Sequence, residues 1–110
     1  MRKVPYPTPG EILLHEFLEP MGISAYRLSK DIGVPQIRIS QIIAGKRAVT
    51  VDTGLRLSRY FGMHDGFWTG LQLDHDAAVV KDMLAGELSK IEPLQFRGRQ
   101  KMASSLRSSP

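Results

Sequence analysis

The residues of this 110-residue chain whose types and spacing best fit a chemical task lie between positions 27 and 50. Glutamine, arginine and serine carry the hydrogen-bond donors and acceptors that read base edges in the major groove of DNA. The candidate base-contacting residues are Gln36, Ile37, Arg38, Ser40 and Gln41. Basic side chains and a hydroxyl group stand around them, where phosphates would lie. The candidate phosphate-contacting residues are Arg27, Lys46, Arg47 and Thr50.

Other combinations of reactive side chains form no coherent site. The pair His15 and Glu16 lacks the second histidine of a His-Glu-x-x-His zinc motif, because position 19 is a glutamate. The Asp-His-Asp tripeptide at 74–76 cannot close on one ion, since sequence neighbours on a helix point in different directions. Nothing positions serine, histidine and aspartate as a catalytic triad, and no glycine-rich phosphate loop is present. We therefore predict no enzyme activity, no metal site and no cofactor.

Two short helices joined by a sharp turn must position the candidate DNA-contacting side chains. Leu28 and Ile32 lie four residues apart on one face of the first helix. Ile39, Ile42 and Ile43 share one face of the second helix, at spacings of three and four. Helices this short bury little surface alone, so they must pack on other helices and expose the polar face of the second. The alternative is a helical hairpin that binds no ligand.

Glycine and proline mark the limits of these helices. Gly33 takes positive φ at little steric cost, and Pro35 suits the first turn of a helix because its missing N–H would be unpaired there. Gly45 is expected to end the second helix. Pro20 and Gly22 are expected to end the helix that precedes the pair.

Helix-start signals and apolar spacing predict an all-α bundle of about five helices. The predicted helices are about 9–18, 24–32, 35–44, 51–61 and 65–91. Thr8 and Glu11 fit a capping box, and Ser24 and Thr50 fit as N-caps. We predict a single domain over 1–92 and a disordered basic tail over 93–110.

The predicted core uses one face of each helix. Gly54, inside the fourth helix, costs about 1 kcal/mol relative to alanine and suggests close approach to another helix. The expected buried residues are Ile12, Leu13, Phe17, Leu18, Leu28, Ile32, Ile39, Ile42, Leu55, Phe61, Phe67, Trp68 and Leu71.

An apolar stripe along the last helix extends beyond what a small domain needs to cover itself. The stripe consists of Leu73, Ala77, Val80, Leu84 and Leu88. Because exposed apolar stripes usually mark interfaces, we interpret it as a candidate homodimer surface. The alternative is that the helix bends back near Gly86 and packs within the monomer.

The charge is unevenly distributed along a chain whose net charge is +4. Residues 24–60 hold seven basic residues against two acidic ones, whereas residues 61–96 hold two against six. This distribution suggests one surface for phosphates and another for a basic partner, with solvated helix faces as the alternative for the acidic part. The chain has no cysteine, which fits a reducing cytoplasm, and no apolar run long enough to span a membrane.

The spacing of small and apolar residues over 28–42 resembles the helix-turn-helix of the phage repressor/Cro superfamily. Residues 5–92 are similar to one branch of it, the HigA-type antitoxins, also called virulence-associated protein I. The matching motifs are Pro-Gly-Glu-Ile-Leu at 9–13, Phe-Leu-Glu-Pro-Met-Gly-Ile-Ser at 17–24, Gly-Val-Pro at 33–35, Arg-Ile-Ser-Gln-Ile at 38–42, Gly-Lys-Arg at 45–47, Leu-Arg-Leu at 55–57, Arg-Tyr-Phe-Gly at 59–62, Phe-Trp at 67–68 and Leu-Gln at 71–72.

This resemblance implies an all-α dimer that binds an operator in its own promoter. It also implies a partner, a small basic mRNA-cleaving toxin of the HigB/RelE type that the chain neutralises by complex formation. Ile37 departs from the family, which usually has asparagine there, and an isoleucine would instead contact a thymine methyl group. Two alternatives stay open: a free-standing repressor without a toxin, and a protein-interaction module that has lost DNA binding.

Overall fold

Six helices make up residues 7–94, the part of the chain that the computed structural model describes, and no strand occurs there. The first, α1, comprises Pro9–Ile12, a π-helical segment Leu13–Leu18 and a last turn Glu19–Met21. The others are α2 (Ala25–Ile32), α3 (Gln36–Ile43), α4 (Val51–Phe61), α5 (Phe67–Met83) and α6 (Ala85–Leu88). The predicted all-α fold is confirmed. Most of the predicted tail, residues 95–110, lies outside the described residues.

Side-chain caps begin three of the helices, as predicted. Thr8 and Glu11 form a reciprocal capping box in which both bonds measure 3.1 Å. The Ser24 hydroxyl accepts the Arg27 N–H at 3.0 Å, and the Thr50 hydroxyl accepts the Thr53 N–H at 3.3 Å. These bonds satisfy N–H groups that the first turn of a helix leaves unpaired.

The first helix runs further than its proline suggested. We expected α1 to end near residue 18, but it continues to Met21 and ends at Gly22. In the π-helical segment the Glu19 N–H donates to the Leu14 carbonyl, five residues earlier. This wider spacing makes room for the Pro20 ring, which would clash with the preceding turn of a regular α-helix.

The core lies where α1, α2, α3, α4 and the start of α5 meet. Its fully buried large side chains include Leu13, Leu28, Ile39, Ile42, Leu57 and Trp68. Phe17 contacts the rings of Phe61 and Trp68, with centroid distances of 4.8 and 5.0 Å. One predicted core residue is wrong: Leu55 is 43% exposed, because α4 turns its Leu57 and Ser58 face toward the core instead.

Two glycines allow helices to approach closely. A Cβ atom at Gly10 would lie 1.8 Å from the Ile42 carbonyl oxygen, so α1 crosses directly over the backbone of α3. A Cβ atom at Gly54 would lie 2.9 Å from the Cγ2 atom of Thr69 in α5, which agrees with the close approach predicted there. The positions of α3 and α5 therefore depend on these two missing side chains.

The predicted last helix is two helices. It begins at Phe67 rather than 65, and it breaks at Leu84, whose φ and ψ are −97° and 7°. The apolar stripe does not fold back onto the monomer, since Leu73, Val80, Leu84 and Leu88 are 40–67% exposed. Nothing among residues 7–94 is both long and apolar enough to be a membrane-spanning helix.

Candidate DNA-binding surface

The turn between α2 and α3 is held from outside by an arginine of α4. Arg56 donates from Nη1 to the carbonyl oxygen of Ile32 at 2.8 Å and to that of Gly33 at 3.4 Å. Asp52 orients the guanidinium by accepting from its Nε atom at 2.6 Å. Gly33 itself adopts φ 71°, the left-handed conformation expected for it. The four-residue spacing of Asp52 and Arg56 indicates their ion pair, but no local signal in the sequence points to the contact of Arg56 with the turn.

The helix α3 is anchored by isoleucines and exposes its opposite face. Ile39 and Ile42 are buried, and Ile43 is partly buried against them. The helix begins one residue later than predicted, because Pro35 occupies the N-cap position with ψ 139°. The five candidate base-contacting residues are exposed or half-buried: Gln36, Ile37 and Ser40 are exposed, and Arg38 and Gln41 are half-buried.

The turn after α3 brings the two basic candidates back beside the helix. Gly45, at φ 77°, permits the Lys46 N–H to donate to the Gln41 carbonyl oxygen at 2.8 Å. Arg47 then donates from Nε to the side-chain oxygen of Gln41 at 2.9 Å. Lys46 and Arg47 are both exposed, so they extend the polar surface of α3 with positive charge.

The other two phosphate candidates are exposed but already have partners. Arg27 donates to the carboxylate of Asp31 at 3.3 Å, one turn along α2. Thr50 uses its hydroxyl oxygen to cap α4. Both side chains lie at the starts of helices that flank α3, where a phosphate would meet backbone N–H groups as well.

Asp31 also joins α2 to α4. The Tyr60 hydroxyl donates to Asp31 Oδ2 at 2.5 Å, across the outside of the turn. This hydrogen bond, together with Arg27, lowers the pKa of Asp31, and the same bond raises the pKa of Tyr60. The Asp31 carboxylate pairs with the Arg27 side chain, and the lowered pKa extends this pairing toward acidic pH.

A glutamine of α5 holds the loop that follows the basic turn. The Val49 N–H donates to Gln72 Oε1 at 2.8 Å, and Gln72 Nε2 donates to Asp76 Oδ1 at 3.0 Å. Val49 is buried, so its N–H needs this partner. No local sequence signal pointed to Gln72, because the two bonded residues lie 23 positions apart.

Residues 7–94 contain no cluster of three or more histidine, cysteine, aspartate or glutamate side chains arranged to hold a metal ion. Within the Asp-His-Asp tripeptide, Asp76 instead accepts from Gln72. The surface described above is therefore one of hydrogen-bonding amides, hydroxyls and guanidinium groups, with positive charge at its edge.

Comparison with known proteins places this arrangement in a family. The Helix-turn-helix family matches residues 14–68. The chain is 45% identical over 73 residues to Virulence-associated protein I of Dichelobacter nodosus, covering 66% of this chain and 68% of that protein.

Two solved structures from Pseudomonas aeruginosa have the same fold. The antitoxin HigA, solved with the higBA promoter, superimposes with a TM-score of 0.77 at 32% identity and covers 83% of this chain and all of that one. A second protein, in complex with its 18-base-pair operator DNA, gives a TM-score of 0.80 at 30% identity and covers 86% of this chain and all of that one. The chain therefore belongs to the helix-turn-helix family and, within it, to the HigA antitoxins and virulence-associated proteins.

Proposed function

We propose that this chain is the DNA-binding antitoxin of a type II toxin–antitoxin module. It acts in the cytoplasm as a homodimer that represses its own operon and neutralises a HigB/RelE-like mRNA-cleaving toxin by forming a complex with it. One observation supports the DNA-binding part of the proposal. The helix α3 is anchored by buried isoleucines and exposes amide, hydroxyl and guanidinium groups beside the basic residues Lys46 and Arg47. The operator complexes of its structural relatives support the same conclusion.

In this proposal α3 inserts into the major groove. Two copies in a dimer would enter successive grooves, about 34 Å apart along one face of the duplex. Base edges would be contacted by Gln36, Ile37, Arg38, Ser40 and Gln41, and phosphates by Arg27, Lys46, Arg47 and Thr50. An isoleucine at position 37, 65% exposed, would pack on a thymine methyl group.

The toxin would bind elsewhere. Residues 61–96 hold six acidic residues against two basic ones, and α5 and α6 carry most of them. A small basic toxin matches this charge. Its contacts with α5 and α6 would leave the α3 surface free for DNA.

Two variants test the DNA-reading role of α3. Gln41→Ala removes a base contact, so operator binding should weaken by about 1–3 kcal/mol while binding to random DNA is unchanged. Lys46→Ala removes a phosphate contact, so it should weaken binding to all DNA and reduce the slope of log affinity against log salt by about one unit. Titrating both variants with promoter and random duplexes over a salt series separates these effects. Equal loss on both duplexes for Gln41→Ala would contradict its assigned role.

A free-standing repressor is the second candidate, because the surface on α3 needs no toxin to read DNA. Expression of the chain together with the product of its neighbouring gene, followed by purification, distinguishes the two. Co-purification of a small basic protein whose ribonuclease activity is blocked in the complex supports the antitoxin. A chain that binds its promoter and has no such neighbour is a repressor alone.

A further inference from the structure

A hydrogen bond from Arg47 orients the side-chain amide of Gln41. A guanidinium group has only donors, so the atom of Gln41 that faces Arg47 Nε must be the carbonyl oxygen. The structure has this arrangement, with Nε and Oε1 2.9 Å apart. The amide nitrogen is then the end of Gln41 that is left for a base.

The backbone of the turn supports this pairing. Lys46 N–H donates to the carbonyl oxygen of Gln41 at 2.8 Å, and Gly45 N–H donates to that of Ile42 at 3.0 Å. These are the two bonds of a glycine-terminated helix end, and they return the chain alongside α3. Arg47 therefore reaches Gln41 from a turn that is itself hydrogen-bonded to the same residue.

We infer that Gln41, oriented by Arg47, is a specificity-determining residue that reads hydrogen-bond acceptors in the major groove, with guanine preferred. This inference rests on the proposed operator binding. Guanine presents two acceptors, O6 and N7, to the two hydrogens of the amide nitrogen. Thymine offers one acceptor, O4. Adenine places its N6 amino group, a donor, beside N7, and cytosine presents only a donor.

The usual glutamine contact with adenine is disfavoured here. That contact needs the amide oxygen to accept from N6 while the amide nitrogen donates to N7. In this chain Arg47 already donates to the oxygen and holds a positive charge beside it, which opposes the approach of the N6 donor. Removing Arg47 frees the oxygen and restores the adenine contact.

Selection from a randomised duplex library tests the inference on the full chain. Wild type is compared with Gln41→Ala, Gln41→Glu, Arg47→Ala and Lys46→Ala. The operator position that loses its preference in Gln41→Ala should carry guanine or thymine in wild type. Gln41→Glu should prefer cytosine there, because a carboxylate accepts from N4. Arg47→Ala should improve adenine relative to guanine by about tenfold at this position.

Lys46→Ala is the matched control, since it removes a neighbouring positive charge but has no bond to the Gln41 side chain. It should lower affinity for every duplex and leave the base preference as in wild type. The inference is overturned if wild type selects adenine at the Gln41 position, if Arg47→Ala and Lys46→Ala select the same bases, or if Gln41→Ala keeps the wild-type site. Each of these three results would overturn the inference but leave the proposed operator binding intact. Failure of wild type to select any sequence would overturn the proposed function and this inference with it.

Discussion

At the scale of single residues, Gly10 sets where α3 lies relative to α1. Its Cα packs against the peptide group of Ile42. A Cβ atom at this position would lie 1.8 Å from the carbonyl oxygen and 2.6 Å from the carbonyl carbon of Ile42. Because both atoms belong to the backbone, no side-chain rotation can make room. The family motif at 9–13 includes this glycine, but its spacing in the sequence gives no hint of the contact.

Gly10→Ala should therefore destabilise the fold by about 2 to 3 kcal/mol through overpacking. Gly70→Ala is the control, because a Cβ atom at Gly70 in α5 meets nothing within 4 Å. That change should stabilise the helix by about 0.5–1 kcal/mol. Chemical denaturation of both variants measures the difference. A Gly10→Ala protein as stable as wild type would show that α1 does not pack on α3 in this way.

The hydrogen bond between Tyr60 and Asp31 makes the stability of the fold depend on pH in both the acidic and the alkaline range. The folded pKa of Asp31 lies below its ordinary value, so the stabilisation is present at neutral pH and is lost as pH falls through that lowered pKa. The folded pKa of Tyr60 lies above its ordinary value, so its stabilisation is lost as pH rises through that raised pKa.

Tyr60→Phe removes the hydroxyl donor, so the pKa of Asp31 should rise toward its ordinary value, because this bond is the main cause of the lowering. An NMR titration of the Asp31 carboxyl carbon measures it. Tyr26→Phe is the control: Tyr26 is 56% exposed and has a Lys30 side chain over its ring. An Asp31 pKa that is equal in both variants would show that the bond is absent in solution.

At the scale of helices, the beginnings could be predicted and some of the ends could not. Thr8, Ser24 and Thr50 cap helices through bonds to residues three positions away, so the signal is local. The end of α1 depended on how a π-helical turn accommodates Pro20, which the sequence pattern does not reveal. The break at Leu84 interrupts an apolar stripe that continues unchanged in the sequence.

Some features of the candidate site could likewise be predicted from the sequence, and others could not. The exposed face of α3 could be predicted, because the spacing of Ile39 and Ile42 determines which side is buried. The contacts that hold it could not, since Arg56 and Gln72 bond to residues 24 and 23 positions away. The prediction that Leu55 is buried was wrong for a related reason. Its apolar side chain suggested burial, but the packing of the whole helix decides which face is covered.

Gln72 connects α5 to the loop after the basic turn, so Gln72→Ala should destabilise the protein by about 1–3 kcal/mol by leaving the Val49 N–H unpaired. The double variant Gln72→Glu with Asp76→Asn is the control. It keeps the net charge, the acceptor for Val49 and a bond between positions 72 and 76 with donor and acceptor exchanged. Thermal unfolding should rank the double variant above Gln72→Ala, and the reverse order would exclude this role.

At the scale of the whole molecule, the exposed stripe on α5 and α6 remains the predicted homodimer surface. Val80 lies in the middle of it and is 47% exposed, and Ala77 and Leu84 flank it on the same side. Two α3 helices can bind two half-sites only if a dimer sets their spacing. Dimerisation and operator affinity should therefore be lost together.

Val80→Glu should convert the dimer to a monomer by placing a charge within the stripe. Its affinity for a complete operator should fall about 100-fold, while that for a half-site changes little. Lys81→Gln is the control, since it changes the net charge by the same amount on an adjacent face of α5. Sedimentation equilibrium gives the mass of each variant. A dimeric Val80→Glu protein would rule out this surface.

Trp68 is the one tryptophan of the chain, and it is fully buried among aromatic rings, with centroid distances of 5.0 Å to Phe17 and 5.3 Å to Phe67. Its fluorescence emission consequently reports on the interior where α1, α4 and α5 meet, and on no other place in the protein. Unfolding would shift that emission to the red as water reaches the indole. A single optical signal can thus show, for each variant, whether lost DNA binding reflects a changed surface or a changed fold.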